Sequence, residues 1–411
     1  MTTSRKRLSD LHIWPQAPQT VDNSVKISAI IESRDGARKE LWFRFPAEYL
    51  PSVTELADPL VTAMVFPAMS SAMDVRVHGS VSRSLLRNLA EFQTAWNCWR
   101  PDRYHAVDIS ADEEVTERTE VSDRAVAAFS GGLDSCFSVW RHTRGDCGRL
   151  RQNLKAALMV HGFDIPLHET DVFARAAENS RAIVRSVGLE FIPMACNFRA
   201  FGTDWEDEHG AALASCLSLF SAGFSIGVIA GSHVYDTLLF PWGSNPLTDP
   251  MLSSDTFSII YDAAGVSRLQ KAQGVSEWDE ALRLLRVCWK GQHKDRNCGR
   301  CLRCIATALC FAAMGVEPPA CLDVPSLDEG IRTLRTLRVK PVAVRRLEEI
   351  LIAAKEAEVQ APWVEAFERC IHHKRRQNRR QANKLCQGTI ELLRRALGQN
   401  LYYKIKALVP R

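Results

Sequence analysis

Five short apolar runs alternate with helical stretches between residues 125 and 261, and this alternation limits the fold more than any other feature. The runs fall at 125–129, 155–160, 189–194, 225–230 and 257–261, with helical spacing near 133–143, 169–187 and 206–221. Runs this continuous suit buried parallel strands rather than half-exposed ones. The alternation predicts βαβ units and a parallel sheet, an α/β fold class, with ligands at the carboxyl ends of the strands. Gly188 and Gly223 stand where two of the helices should stop.

The first run ends in Ser130-Gly131-Gly132-Leu133-Asp134-Ser135, and a helical pattern with Cys136, Phe137 and Trp140 on one side follows. A strand, a small-residue loop and a helix start make an anion cradle. Glycines let the backbone approach closely, and loop N–H groups and the helix N-terminus point at the anion. The two serines add hydroxyl donors. Asp134 disfavours a bare phosphate, so it implies a Mg²⁺ between carboxylate and nucleotide. No GxxxxGK[ST] pattern occurs, and the dinucleotide GxGxxG pattern does not fit. Two further loops should open on the same sheet edge: His161-Gly162-Phe163-Asp164 and Gly231-Ser232-His233. Arg268 and Lys271, after the last run, are placed to face a triphosphate, where phosphoryl chemistry needs positive charge.

Residues 286–304 read RVCWKGQHKDRNCGRCLRC. Cys298, Cys301 and Cys304 form C-x2-C-x2-C, and Cys288 precedes them by nine intervening residues. Four thiolates can close a tetrahedral zinc site with no open position, hence a structural one. An iron–sulfur cluster is the rival reading, which thiolates alone leave open.

The loop and the distal cysteines together resemble the 7-cyano-7-deazaguanine synthase family of the PP-loop ATP pyrophosphatase superfamily, over about residues 121–315. The resemblance implies an adenine nucleotide alpha-hydrolase-like core and cleavage of ATP to AMP and pyrophosphate. It also implies adenylation of a carboxylate, a 7-deazaguanine-type acid, for attack by a nitrogen nucleophile. Carried over by motif, Ser130, Gly131, Gly132, Leu133, Asp134 and Ser135 hold ATP and Mg²⁺. By their places after the runs, Arg268 and Lys271 are expected to serve catalysis with Asp134 and Ser135, and His161 is expected to line the nucleotide or substrate pocket. Cys288, Cys298, Cys301 and Cys304 hold Zn²⁺. The family's Tyr-Pro-Asp-Cys-Arg stretch is replaced by Phe240-Pro241-Trp242-Gly243-Ser244-Asn245-Pro246, and the first cysteine gap is nine residues rather than eight. The chemistry therefore carries over better than the substrate. Ammonia is the family's nucleophile, as in queuosine biosynthesis. A protein amine is the acceptor expected of its antiviral-defence relatives. Trp242, with Ser254 and Asp255, is a candidate for stacking on a purine-like ring.

Two segments flank this core. Residues 1–120 read as an α+β domain: Val25, Ile27, Ala29 and Ile31 alternate, Asp35-Gly36 turns, and Leu41, Phe43 and Phe45 alternate again. Helices are expected around 53–72 and 82–98, strands at 74–77 and 105–109, and a surface connection from Asp112 to Glu120. Residues 321–411 read as helical, with Leu334, Leu337, Val342, Leu347, Ile350 and Leu351 as apolar faces. From Ile371 onward there are eleven Lys/Arg and one acid, Glu391, against 41 basic and 47 acidic residues upstream. The tail thus carries about +10 and the rest about −6. Such a tail suits nucleic acid or an acidic protein, so tRNA thiolation or amidation is the alternative function.

Composition excludes other classes. With 411 residues, 46% apolar and 24% charged, the chain is ordinary globular material for two or three domains. No run of 18 apolar residues occurs, so no membrane helix is expected. The start, MTTSRKRLSDLHIW, has no apolar core for a secretory signal. Thirteen cysteines, an odd number, do not suggest a disulfide scaffold. A cytoplasmic protein with metal-bound and buried free thiols is expected.

Overall fold

The computed structural model of the chain describes residues 11–116, 122–145, 147–202, 204–238, 240–289 and 291–397, with the side chains of 237 and 382–397 excepted. These residues fall into two compact units divided between Cys298 and Gly299, with Pro319–Leu322 belonging to the first.

The first unit is α/β, built on one ten-stranded, mostly parallel sheet. Its amino-terminal strands are β1 (Leu11–Val21), β2 (Ser24–Ser33), β3 (Arg38–Pro46), β4 (Val75–Ser82) and β5 (Ile109–Val115). The five expected runs form β6 (Arg124–Ala128), β7 (Asn153–His161), β8 (Glu190–Cys196), β9 (Ile226–Ala230) and β10 (Ser258–Asp262). Their order across the sheet is β10-β9-β6-β7-β8-β3-β2-β1-β4-β5. All pairs among β6–β10 are parallel. The chain leaves β6 toward β7 and β8, then returns to add β9 and β10 on β6's other side. Connections after β6 and β9 therefore diverge, which opens a crevice at the carboxyl ends of those two strands.

Helices α1 (Asp58–Ser71) and α2 (Arg83–Trp99) belong to the amino-terminal half. Helices α3 (Leu133–Arg144), α4 (Thr170–Arg185), α5 (Trp205–Ser218), α6 (Arg268–Val275) and α7 (Asp279–Leu284) belong to the other. Helix α1 is apolar all round and therefore buried all round: Leu60, Val61, Met64, Val65, Phe66 and Met69 are each at most 4% exposed. Its Phe66 meets Phe92, Trp96 and Tyr104 edge-on, and truncation of such a ring to alanine costs about 3–5 kcal/mol. The same helix packs on α5, where Ser215 Oγ donates to Pro59 O at 2.7 Å.

The sheet runs without a break across residue 120. Strand β3 joins β8 in antiparallel register, Phe43 opposite Cys196 and Arg44 opposite Ala195. Two amino-terminal expectations need correction. The strand expected at 105–109 starts only at Ile109 and continues to Val115, through acidic residues read as a connection. It is an edge strand, where charges discourage a further strand from pairing. Its Asp112 pairs with Arg76 at 2.5 Å and its Glu113 accepts from Ser80 at 2.6 Å. Strand β1 escaped the pattern altogether. Pro15 and Pro18 argue against a central strand, yet β1 pairs with both β2 and β4, its register shifting between Gln16 and Gln19.

The second unit is helical: α8 (Leu302–Ala313), α9 (Leu327–Thr336), α10 (Pro341–Glu356) and α11 (Pro362–Leu397). Leu334, Leu347, Ile350 and Leu351 are buried there, with Phe367 and Ile371 of α11. Lys374, 1% exposed, donates to Arg335 O and Leu337 O and so caps the carboxyl end of α9. Arg375, Arg376, Arg379 and Arg380 are exposed along α11. The last residues of the basic tail, 398–411, lie outside the described residues. No described helix is long and apolar enough to cross a membrane.

Candidate functional site

The loop after β6 is shaped by its own small residues. Phe129 N donates to Leu158 O at 2.8 Å, extending the strand by one residue. Gly131 then turns the chain at φ +71°, a conformation that a side chain disfavours. A Cβ there would also sit 3.1 Å from Ser180 Oγ. Gly132 is the N-cap of α3. Having no side chain, it leaves the helix's first N–H groups uncapped, which suits an anion. Ser135 Oγ donates to Gly132 O at 3.0 Å and accepts from Ser130 N at 3.3 Å. Ser130 Oγ accepts from Gly132 N at 3.3 Å. The two hydroxyls, 3.3 Å apart, thus brace the loop from inside.

Three of the residues singled out for catalysis meet. Lys271 Nζ lies 3.0 Å from Asp134 Oδ1 and Arg268 Nη1 3.2 Å from Asp134 Oδ2. The two cations sit one turn apart on α6, so the i, i+3 spacing puts both on one face. A capping box fixes that helix's start: Ser267 Oγ accepts from Gln270 N and Gln270 Oε1 from Ser267 N. Lys271, 3% exposed at its side chain, also donates to Gly231 O, at the end of β9. The cationic pair therefore stands at the β6/β9 crevice. Asp134 and Arg268 keep 27% and 25% of their side chains exposed, so solvent and ligands reach them.

Sequence reasoning missed Arg286, which lies behind the loop. Its own N–H donates to Gly131 O at 2.7 Å and its Nη2 to Ser130 O at 2.9 Å. Burial holds this guanidinium below its ordinary pKa, with the charge of Asp164 opposing. The available signal was a single charge inside the apolar run Leu284-Leu285-Arg286-Val287.

Other candidates are placed differently. His161 Nε2 meets Pro166 O at 2.8 Å, its ring stacks on Phe173 with centroids 4.4 Å apart, and burial lowers its pKa. It thus sits within its own loop. Trp242 stands edge-on to His209 and His233, at 5.4 and 5.2 Å. Asp255 N donates to Ser84 Oγ of α2 at 2.8 Å, while Ser254 Oγ turns to Thr256, 3.2 Å away. Cys136 is fully buried, which pushes its thiol pKa up and leaves it inert.

The four cysteines do converge. The Sγ atoms of Cys288, Cys298, Cys301 and Cys304 all lie within 4.8 Å of one another, a set that can hold a metal ion. Cys288 and Cys298 are 3.4 Å apart, Cys301 and Cys304 3.5 Å. Asn297, a second residue missed by sequence, shapes the loop. Its Oδ1 accepts from Val287 N and Cys288 N at 2.8 and 3.2 Å. Its Nδ2 donates to Leu285 O and Cys321 O at 2.6 and 2.7 Å.

Comparison with protein-family models, with curated proteins and with solved structures finds no match for this chain.

Proposed function

We propose that the 130–135 loop is an ATP site and that the chain adenylates a carboxylate, releasing pyrophosphate. The observation that carries this reading is the convergence of Asp134, Lys271 and Arg268 at the crevice between β6 and β9. A phosphate site needs N–H donors, hydroxyls and cations; the uncapped start of α3, Ser130 with Ser135, and the Lys271–Arg268 pair are groups of these three kinds. Ser130, Gly131, Gly132, Leu133 and Ser135 would hold the phosphates, and Asp134 would hold Mg²⁺, which neutralises charge on the triphosphate when bound. Lys271 and Arg268 would then turn from Asp134 to the leaving pyrophosphate, where fixed positive charge lowers the barrier most. The substrate carboxylate attacks the α-phosphorus, and a nitrogen nucleophile displaces AMP from the acyl-adenylate. The resemblance of the loop and cysteines to the cyanodeazaguanine synthases supports a 7-deazaguanine-type acid as substrate, with ammonia or a protein amine as nucleophile.

The cysteine cluster is read as structural zinc. A tetrahedron with Zn–S bonds of about 2.3 Å places sulfurs about 3.8 Å apart, close to the separations found. Four thiolates leave no position for substrate.

The test is product analysis with α-labelled and, in parallel, γ-labelled ATP and a panel of aromatic carboxylates, with and without ammonium. AMP and pyrophosphate in equal amounts, dependent on the acid, are expected. ADP and phosphate, or no turnover with any acid, overturn the reading. AMP formation that requires tRNA instead of a small acid moves the assignment to tRNA modification.

A further inference from the structure

The segment Leu285–Cys288 runs between two loops and is held by both. On one side, Asn297 binds Leu285 O, Val287 N and Cys288 N, so it fixes the backbone that carries the first metal-ligating sulfur. On the other side, Arg286 N binds Gly131 O and its Nη2 binds Ser130 O. The same guanidinium reaches back with Nη1 to Lys294 O, at 3.0 Å, within the stretch that leads to Asn297 and Cys298. That stretch is anchored in turn to α4, through Lys294 to Glu169 and through Arg175 to Asp295 at 2.5 Å. Arg286 is 8% exposed. Its planar fork is what allows one side chain to serve carbonyls of two loops in fixed geometry, which an ammonium cannot do.

We infer that Arg286 is a positioning residue that couples metal occupancy of the cysteine cluster to the shape of the nucleotide loop. The inference rests on the reading of residues 130–135 as a nucleotide site. Loss of the ion frees Cys288; the Asn297 clasp loosens; Arg286 then no longer holds the carbonyls of Ser130 and Gly131. Coupling of this kind is reciprocal, so bound nucleotide must also retain the metal.

The experiment uses the full-length, zinc-loaded protein. Zinc release to the chelator 4-(2-pyridylazo)resorcinol is timed with and without a nonhydrolysable ATP analogue and Mg²⁺, and analogue binding is measured by calorimetry. The analogue should slow release about fivefold or more, and zinc removal should weaken analogue binding. In Arg286→Lys both ligands should still bind, with the ratio of release rates near one. Arg283→Gln, an exposed change on α7, should keep the wild-type ratio. Unchanged release from wild type with analogue bound, or a full ratio in Arg286→Lys, overturns the coupling. Amide hydrogen exchange in wild type reads the same link without a variant. Zinc removal should speed exchange at residues 130–135 and leave β6 and β7 unchanged, and equal exchange before and after overturns it. An analogue that does not bind wild type at all is a different failure, that of the nucleotide reading itself.

Discussion

Two aspartates face two basic side chains each, at opposite ends of α3, and water reaches only one of the pairings freely. Asp134, in the first turn, meets Lys271 and Arg268 with 27% of its side chain exposed. Asp262, at the end of β10, lies 3.3 Å from Arg141 Nη1 and 3.4 Å from His142 Nε2 in the last turn, and accepts from Ser138 Oγ at 2.6 Å. Its side chain is 6% exposed. Burial raises the Asp262 pKa, but His142, Ser138 and Arg141 outweigh it and hold the carboxyl below the usual range. A sealed carboxylate cannot change partners while the protein stays folded. An open one can surrender its cations to an incoming charge. An aspartate beside basic side chains thus serves as a staple in one place and as part of a candidate site in the other.

The largest expected effect comes from breaking the sealed pairing. Asp262→Asn leaves Arg141 buried without its counter-charge and should lower unfolding free energy by about 3–5 kcal/mol. Urea denaturation checks it against Asp134→Asn, which should cost less, because Arg268 is partly exposed and buried Lys271 keeps its bond to Gly231 O. Equal losses would show that burial does not separate the two aspartates. Next comes function: Asp134→Asn should reduce acid-dependent pyrophosphate release at least about 100-fold while still unfolding cooperatively in urea. Full activity in that variant removes Asp134 from the chemistry. The smallest effect is on pH dependence. Because the folded pKa of Asp262 lies below its unfolded value, its stabilisation is complete above the unfolded value and fades as pH falls through the folded one. Urea midpoints measured below about pH 4 should therefore drop more steeply in wild type than in Asp262→Asn. Parallel acid limbs would mean that another group governs acid unfolding.

Much of the core was legible because its signals are local. Continuous apolar runs, a pair of glycines and two-residue cysteine gaps each act within a few residues of chain, and β6–β10, α3–α5, the loop and the cysteine cluster all follow from them. What escaped depends on partners distant in sequence. The proline-bearing β1 is held by strands on both sides, which its own composition does not show. Asp112–Val115 reads as a polar connection until it is seen to pair with β4. His161 stands where a ligand-facing residue would, yet its ring turns to Pro166 and Phe173. Arg286 and Asn297 bear no motif; their importance lies in the carbonyl and amide groups they reach, which one-dimensional spacing does not reveal.

The antiparallel seam between β3 and β8 sets an order of events during synthesis. Phe43 waits for Cys196, so roughly 8–30 s of translation at ordinary rates separates the two. During that interval β3, already paired with β2, presents an unclaimed edge rich in Leu41, Phe43 and Phe45. The amino-terminal half is made first, yet its sheet can be completed only after the 130–135 loop and the two strands beyond it have emerged. A stall in translation between these points would expose a sticky edge, and the flanking charges Lys39, Glu40 and Arg44 are the chain's guard against it.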